Sequence, residues 1–208
     1  MNGYIEEEIK KLHRMLHNMY SIVKEVLDYT TKLFEEKDEV TRSTFRDSIE
    51  KLVNTIDGLR RGAFTKALLF IAKFQPLGRE LKFIEAYINV CYDVYRIGRY
   101  CREISRVDSI IGGFSSELFR DLHEGLKWAR SMVELAVQSF TKNNVDYARR
   151  VLSMDSRLDN LYVDHLKKLT SMETVPRCFA AKIVIARQVE RIGDHATYIA
   201  RYTLLLEQ

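Results

Sequence analysis

The sequence predicts an all-α protein of six long helices arranged as two tandem three-helix bundles. Three observations carry this expectation. The 208 residues combine 46% hydrophobic and 30% charged side chains with only 9 Gly and 2 Pro, a composition that disfavours both disorder and a turn-rich all-β fold. Apolar residues recur at spacings of three and four almost throughout, the stripe of an amphipathic helix. The string RIGRY at 96–100 returns as RIGDH at 191–195, which points to an internal duplication.

The first helix is written by Leu12, Leu16, Met19, Ile22, Val23, Val26 and Leu27. Five interruptions then divide the chain: EEKDEV (35–40), FQPLG (74–78), IIGGFSSE (110–117), TKNNVD (141–146) and METVP (172–176). Each gathers Gly, Pro, Asn or charge where the apolar period lapses. Pro76 and Pro176 stand where a second helix gives way to a third, a place that suits proline because it is tolerated only in a first helical turn. Gly112 and Gly113 form the only paired glycine, close to the midpoint. The expected units are therefore residues 1–110 and 114–208.

Sliding one half over the other by 95 positions pairs VYRIGRYCREISR (94–106) with VERIGDHATYIAR (189–201), with identity at six of thirteen positions. At the prolines the offset becomes 100, so the first half carries about five extra residues upstream. Gly98 and Gly193 sit inside this repeated helix, where glycine costs about 1 kcal/mol relative to alanine. A close approach of a neighbouring helix backbone is the expected compensation.

Net charge is +4, from 33 basic and 29 acidic residues with no long run of one sign, so direct nucleic-acid binding is not expected. Cys91, Cys101 and Cys178 form no CxxC pair and are odd in number, as structural thiols in a reducing compartment would be. The longest apolar run, ALLFIA at 67–72, is far too short to span a bilayer, and the charged amphipathic N-terminus does not read as a secretion signal. A cytoplasmic protein is expected.

The acidic residues of the second half carry the chemistry. Asp155 and Asp159 are four apart, as are Glu190 and Asp194 on the following helix. Such a spacing places both carboxylates within about 40° on one helix face, where like charges repel by a few tenths of a kcal/mol unless neutralised. Two pairs converging between adjacent helices offer oxygen ligands suited to iron(III), manganese or magnesium. Solvated acids paired with Arg187 and Arg191 are the alternative. His13 and His17 share a helical face but lack the Glu of a zinc-protease helix, and His195 points about 100° away from Asp194.

ARQVERIGDHATYIAR (186–201) resembles the signature of the PhoU family of phosphate-uptake regulators, and VLSMDSRLDNLYVDHLKKLTSM (151–172) resembles that family's second helix. The resemblance covers nearly the whole chain. It implies PhoU-like three-helix bundles whose acidic motifs bind a metal ion or multinuclear metal cluster, iron first, with zinc, manganese or magnesium as alternatives. It also implies action beside a phosphate transporter or a sensor kinase at the membrane, with a homodimer as a further expectation. Carried over by residue, the implied ligands are Asp155, Asp159, Glu190 and Asp194.

The first half departs from this pattern. Tyr95 stands opposite Glu190, Arg99 opposite Asp194 and Val53 opposite Asp155, leaving Asp57 opposite Asp159. Arginine brings a permanent charge and no acceptor, so one metal-competent bundle and one degenerate bundle are expected. Arg99, Arg102 and Arg106 fall within about 60° on the degenerate helix. They form a basic stripe that either faces solvent or contacts an acidic partner or anion.

A non-enzymatic, metal-binding regulator of phosphate uptake is the leading expectation. A di-iron carboxylate enzyme would need Glu-x-x-His pairs at the site, which the sequence lacks there. A metal-free helical scaffold is the other alternative.

Overall fold

The structure, a computed structural model, describes residues 2–114 and 117–207. It is all helical in the described residues: α1 (Asn2–Lys32), α2 (Glu39–Phe74), α3 (Arg79–Ile111), a short 3-10 turn (Glu117–Phe119), α4 (Arg120–Lys142), α5 (Val145–Met154), α6 (Ser156–Thr170) and α7 (Arg177–Leu205). All five expected interruptions separate helices. A sixth, at Asp155, divides the second rod of the second half into α5 and α6, so six rods contain seven helical segments.

Local chemistry sets the ends. Asp38 caps α2 by accepting from the Thr41 amide at 2.8 Å, and Asn144 caps α5 by accepting from the Tyr147 amide at 2.9 Å, each satisfying an amide that the first helical turn leaves without a partner. Gly112, at φ +81°, closes α3 in the left-handed conformation that glycine adopts without steric cost. The following Gly113 also has positive φ, and a Cβ there would overlap the buried guanidinium of Arg42. That guanidinium donates to the Gly112 carbonyl at 3.0 Å and to Asp108 at 3.1 Å, tying the start of α2 to the end of α3.

Helices α1, α2 and α3 pack together, as do α4, α5–α6 and α7, while α3 lies against α7 and α1 touches α4. One apolar core runs through both halves, from Leu16, Met19 and Ile56 through Tyr87 and Ile97 to Met132, Val189 and Ile192. Each fully buried Leu, Ile or Met contributes about 1.5–3 kcal/mol. Cys91 and Cys101 are buried free thiols, whereas Cys178 is exposed in the first turn of α7.

Gly98 and Gly193 do mark close approaches, although what enters the space is a side chain instead of a backbone. A Cβ on Gly98 would lie 3.3 Å from Ile56 Cδ1, and one on Gly193 would lie 2.6 Å from Leu158 Cδ1. The notch at Gly193 lets Leu158 of α6 sit directly on α7. The site is built on either side of that contact.

Candidate metal centre

Leu158 and Gly193 each have an aspartate as their next residue, so the contact between them carries Asp159 and Asp194 towards each other. Asp155, one turn earlier, joins them: a carboxylate oxygen from each of Asp155, Asp159 and Asp194 lies within 4.8 Å of the others. Asp155 and Asp194 are half-buried and Asp159 is exposed. Asp155 keeps right-handed helical angles at the break, and its carbonyl accepts from the Leu158 amide at 2.9 Å. Its side chain caps nothing, which leaves the carboxylate available to the cluster.

Glu190 belongs to the same face of α7, one turn before Asp194, but stands outside this close trio. It is buried, with Oε1 bound by Arg187 and Oε2 lacking any hydrogen-bond partner. An unpaired buried carboxylate oxygen is costly and calls for a positive charge. Arg191 comes only to 3.9 Å of it and spends its better contact, at 3.0 Å, on Asp194.

The electrostatics follow from crowding. Burial, and then the charges of Asp159 and Asp194, push the Asp155 carboxyl above its ordinary pKa. Burial and then Asp194 push Glu190 the same way, against the opposing pull of Arg187 and Arg191. Both acids are therefore less comfortable ionised than a solvated carboxylate, and a cation would reverse the penalty. The donors are all oxygens, with no His or Cys in the group. That set fits a hard cation such as iron(III), manganese or magnesium better than the nitrogen and sulfur sites favoured by zinc.

The corresponding place in the first half carries its own cation. Val53 is buried in the core, and Asp57 is held by Arg60 at 2.8 Å and by Arg61 at 2.8 Å. The Arg60 guanidinium also lies over the Tyr95 ring, 5.0 Å from its centroid. Asp57 is thus neutralised by arginine, and no cluster of three acids forms there among the described residues.

The basic stripe is partly occupied. Arg102 meets Glu50 at 3.2 Å, and Arg106 meets Glu103 at 2.9 Å and Glu50 at 3.9 Å, while Arg99 is half-buried without an ion pair among the described residues. His195 turns away from the acids to Asp93 of α3. His13 packs its ring on Phe83, with 5.2 Å between centroids. Neither histidine joins Asp155, Asp159 and Asp194. Sequence reasoning missed Asp93, because a single acid inside an apolar helix has no spacing to mark it.

The PhoU domain model matches residues 16–107 and again 122–203. The chain is 27% identical over 203 residues to the phosphate-specific transport system accessory protein PhoU homolog of Rhizobium meliloti, covering 88% of this chain and 86% of that protein. It is 24% identical to the Archaeoglobus fulgidus protein of the same description, covering 98% and 95%. Among solved structures, it superposes on PhoU from Pseudomonas aeruginosa with a TM-score of 0.87 at 22% identity, covering 97% of this chain and 98% of that one. The phosphate transport system regulatory protein PhoU from Streptococcus pneumoniae gives 0.83 at 18% identity, covering 98% and 97%.

Proposed function

This chain belongs to the PhoU family, both of its halves matching the PhoU domain, and from that premise we propose that it is a non-enzymatic cytoplasmic regulator of phosphate uptake. It acts by contact with a component of a phosphate transport system or its sensor kinase, and it binds metal through the acids of its second bundle. The association with phosphate transport rests on end-to-end similarity to proteins described as accessory to that system.

The observation that carries the metal reading is the convergence of Asp155, Asp159 and Asp194 within 4.8 Å, with Glu190 Oε2 buried and unpaired on the same face of α7. Bound there, a hard cation supplies concentrated positive charge that holds α6 and α7 together. The protein's contribution is positional. Gly193 admits Leu158, Leu158 sets the spacing between Asp159 and Asp194, and the break after Met154 brings Asp155 into the same space. A signal would require the cation to favour one docking state over another by its differential affinity for the two.

Two measurements test this. Protein purified without chelator and incubated with iron(III), manganese, zinc or magnesium is submitted to elemental analysis beside Asp155→Asn/Glu190→Gln. Metal bound by the wild type and lost from the double variant is expected. Metal in neither protein leaves Arg187 and Arg191 as sufficient partners for Glu190 and Asp194, which is the scaffold reading. For regulation, phosphate uptake is followed in cells lacking this chain and complemented with the wild type or the double variant. Unchanged uptake on deletion would remove the transport assignment whatever the metal result.

A further inference from the structure

The first bundle has a feature that the second lacks. Past Asp57, α2 runs on to Phe74, whereas past Asp159 the equivalent rod ends at Thr170, more than one helical turn sooner. The extra length falls in the stretch FTKALLFIAKF (64–74), which holds the longest apolar run of the sequence. A helix that is apolar around most of its circumference is normally enclosed, and this one is enclosed on one side only. Ala63, Ala67 and Phe70 are buried in the bundle, while Phe64, Leu68 and Leu69 are 45%, 47% and 57% exposed. At 100° per residue, those three exposed side chains lie in an arc of about 140° that also contains Thr65 and Ala72. Leu77, in the turn that follows, is 80% exposed.

Along this part of α2 the charge has one sign. From Gly58 to Arg79 there is no Asp or Glu, but Arg60, Arg61, Lys66, Lys73 and Arg79 all occur. Arg60 and Arg61 are engaged by Asp57. Lys66 and Lys73 form no ion pair among the described residues; Lys73 donates to the Tyr4 hydroxyl at 2.9 Å. Glu8 of α1 has its pKa lowered first by Lys11, to which it is bonded at 2.6 Å, and then by the nearby charges of Lys73 and Lys66. On the helical wheel both lysines border the apolar arc on the Leu69 side.

We infer that this face of α2 docks on an anionic bilayer surface. Phe64, Leu68 and Leu69 enter the boundary between headgroups and acyl chains, and the ammonium groups of Lys66 and Lys73 reach the lipid phosphates on their flexible stems. The helix lies on the surface and does not cross it, because no helix among the described residues is long and apolar enough to span. A second copy fits this face less well, since an antiparallel isologous pairing would set the lysine flanks of the two copies side by side with no acid of α2 between them. The inference is independent of the metal cluster and of the transport reading.

Co-sedimentation with protein-free vesicles tests it. The wild-type protein is expected to pellet with phosphatidylglycerol/phosphatidylcholine vesicles, less so as salt is raised, and to stay in solution with pure phosphatidylcholine. Leu68→Ser/Leu69→Ser and Lys66→Glu/Lys73→Glu should each reduce partitioning about tenfold or more. Both variants should keep their helicity because the substituted side chains are exposed; the leucine variant should also keep its melting temperature, while the lysine variant gives up the surface bond from Lys73 to Tyr4. Absence of binding to anionic vesicles at low salt overturns the inference. So does equal binding to neutral vesicles, or binding that the substitutions leave intact. Sedimentation velocity showing that the same substitutions abolish a dimer, without vesicle binding by the wild type, assigns the face to a second copy. Binding to native membranes but not to protein-free vesicles assigns it to a membrane protein.

Discussion

His195 Nδ1 on α7 lies 2.7 Å from Asp93 Oδ1 on α3, and both side chains are buried. The other ring nitrogen is 3.2 Å from the Tyr100 hydroxyl, which also accepts from Arg96. This network joins the third helix of one half to the third helix of the other, so it couples the two bundles by hydrogen bonding as well as by the shared core. Removing one member leaves the other buried without its hydrogen-bond partner, which costs about 1–3 kcal/mol. Urea unfolding of Asp93→Ala and His195→Ala should each show a loss of that order. The double variant should lose much less than their sum. Additive effects would show that the contact does not act as a pair.

The two repeated glycines should respond differently to alanine. In a helix interior the substitution contributes about 1 kcal/mol through propensity. At Gly98 the new methyl meets Ile56 Cδ1 at 3.3 Å, a contact that a small shift relieves, so the net change is within about 1 kcal/mol of zero. At Gly193 it meets Leu158 Cδ1 at 2.6 Å, too close to hold, so the buried Leu158 side chain must shift. Gly193→Ala should therefore lose about 1–3 kcal/mol. Displacing Leu158 also carries Asp159 away from Asp194. Thermal melts with and without manganese should show a smaller cation-induced rise for Gly193→Ala than for Gly98→Ala.

These glycines also show how much of the molecule was legible in the sequence. The periodicity of residues such as Leu12, Leu16 and Met19 reports burial directly, and five interruptions announce themselves through Gly, Pro, Asn or charge, so the rods could be read. The break at Asp155 could not, because SMDSRL contains no residue that forbids a helix. Spacing within one helix placed Asp155 with Asp159 and Glu190 with Asp194, but it cannot fix how far apart two helices stand. Glu190 consequently falls outside the trio that Asp155, Asp159 and Asp194 make. The Asp93–His195 contact was invisible for the same reason, since it depends on how α3 meets α7. The Arg60 guanidinium over Tyr95 likewise depends on the register between α2 and α3.

Asp121 should confer an acid-sensitive part of the stability. It sits on α4, where Lys182 of α7 donates to it at 2.8 Å and His165 Nε2 of α6 faces it at 3.1 Å, an ion-pair distance without the alignment of a good hydrogen bond. Burial alone would raise its pKa, but contact with His165 and Lys182 outweighs burial and holds the carboxyl well below the ordinary range. A depressed folded value stabilises the protein above the unfolded pKa of about 4, and that contribution is lost as pH falls through the folded value. Because the side chain is 38% exposed, solvent screening limits the effect to about 1 kcal/mol. Asp121→Asn should be less stable than the wild type by that amount at pH 6, and the difference should shrink steadily below about pH 4. A difference that stays constant down to pH 2 would trace the loss to packing.

Asp155→Asn tests the cluster without measuring bound metal. In metal-free protein, Asp155 sits in a half-buried position beside Asp159 and Asp194, where burial and then those two charges penalise its ionised form. Replacing that carboxylate by a neutral amide of the same shape removes the repulsion and should raise stability in chelator by about 0.5–1 kcal/mol. Added manganese or iron(III) should reverse the order, because the cation stabilises the folded wild type by mass action and gains less from the variant. Thermal melts of both proteins, in chelator and with metal, give the four values required. If Asp155→Asn is destabilised in chelator, the carboxylate makes favourable contacts of its own and the trio is an ordinary acidic surface. If it is stabilised in chelator and metal leaves that order unchanged, the repulsion is present but the cation binds elsewhere.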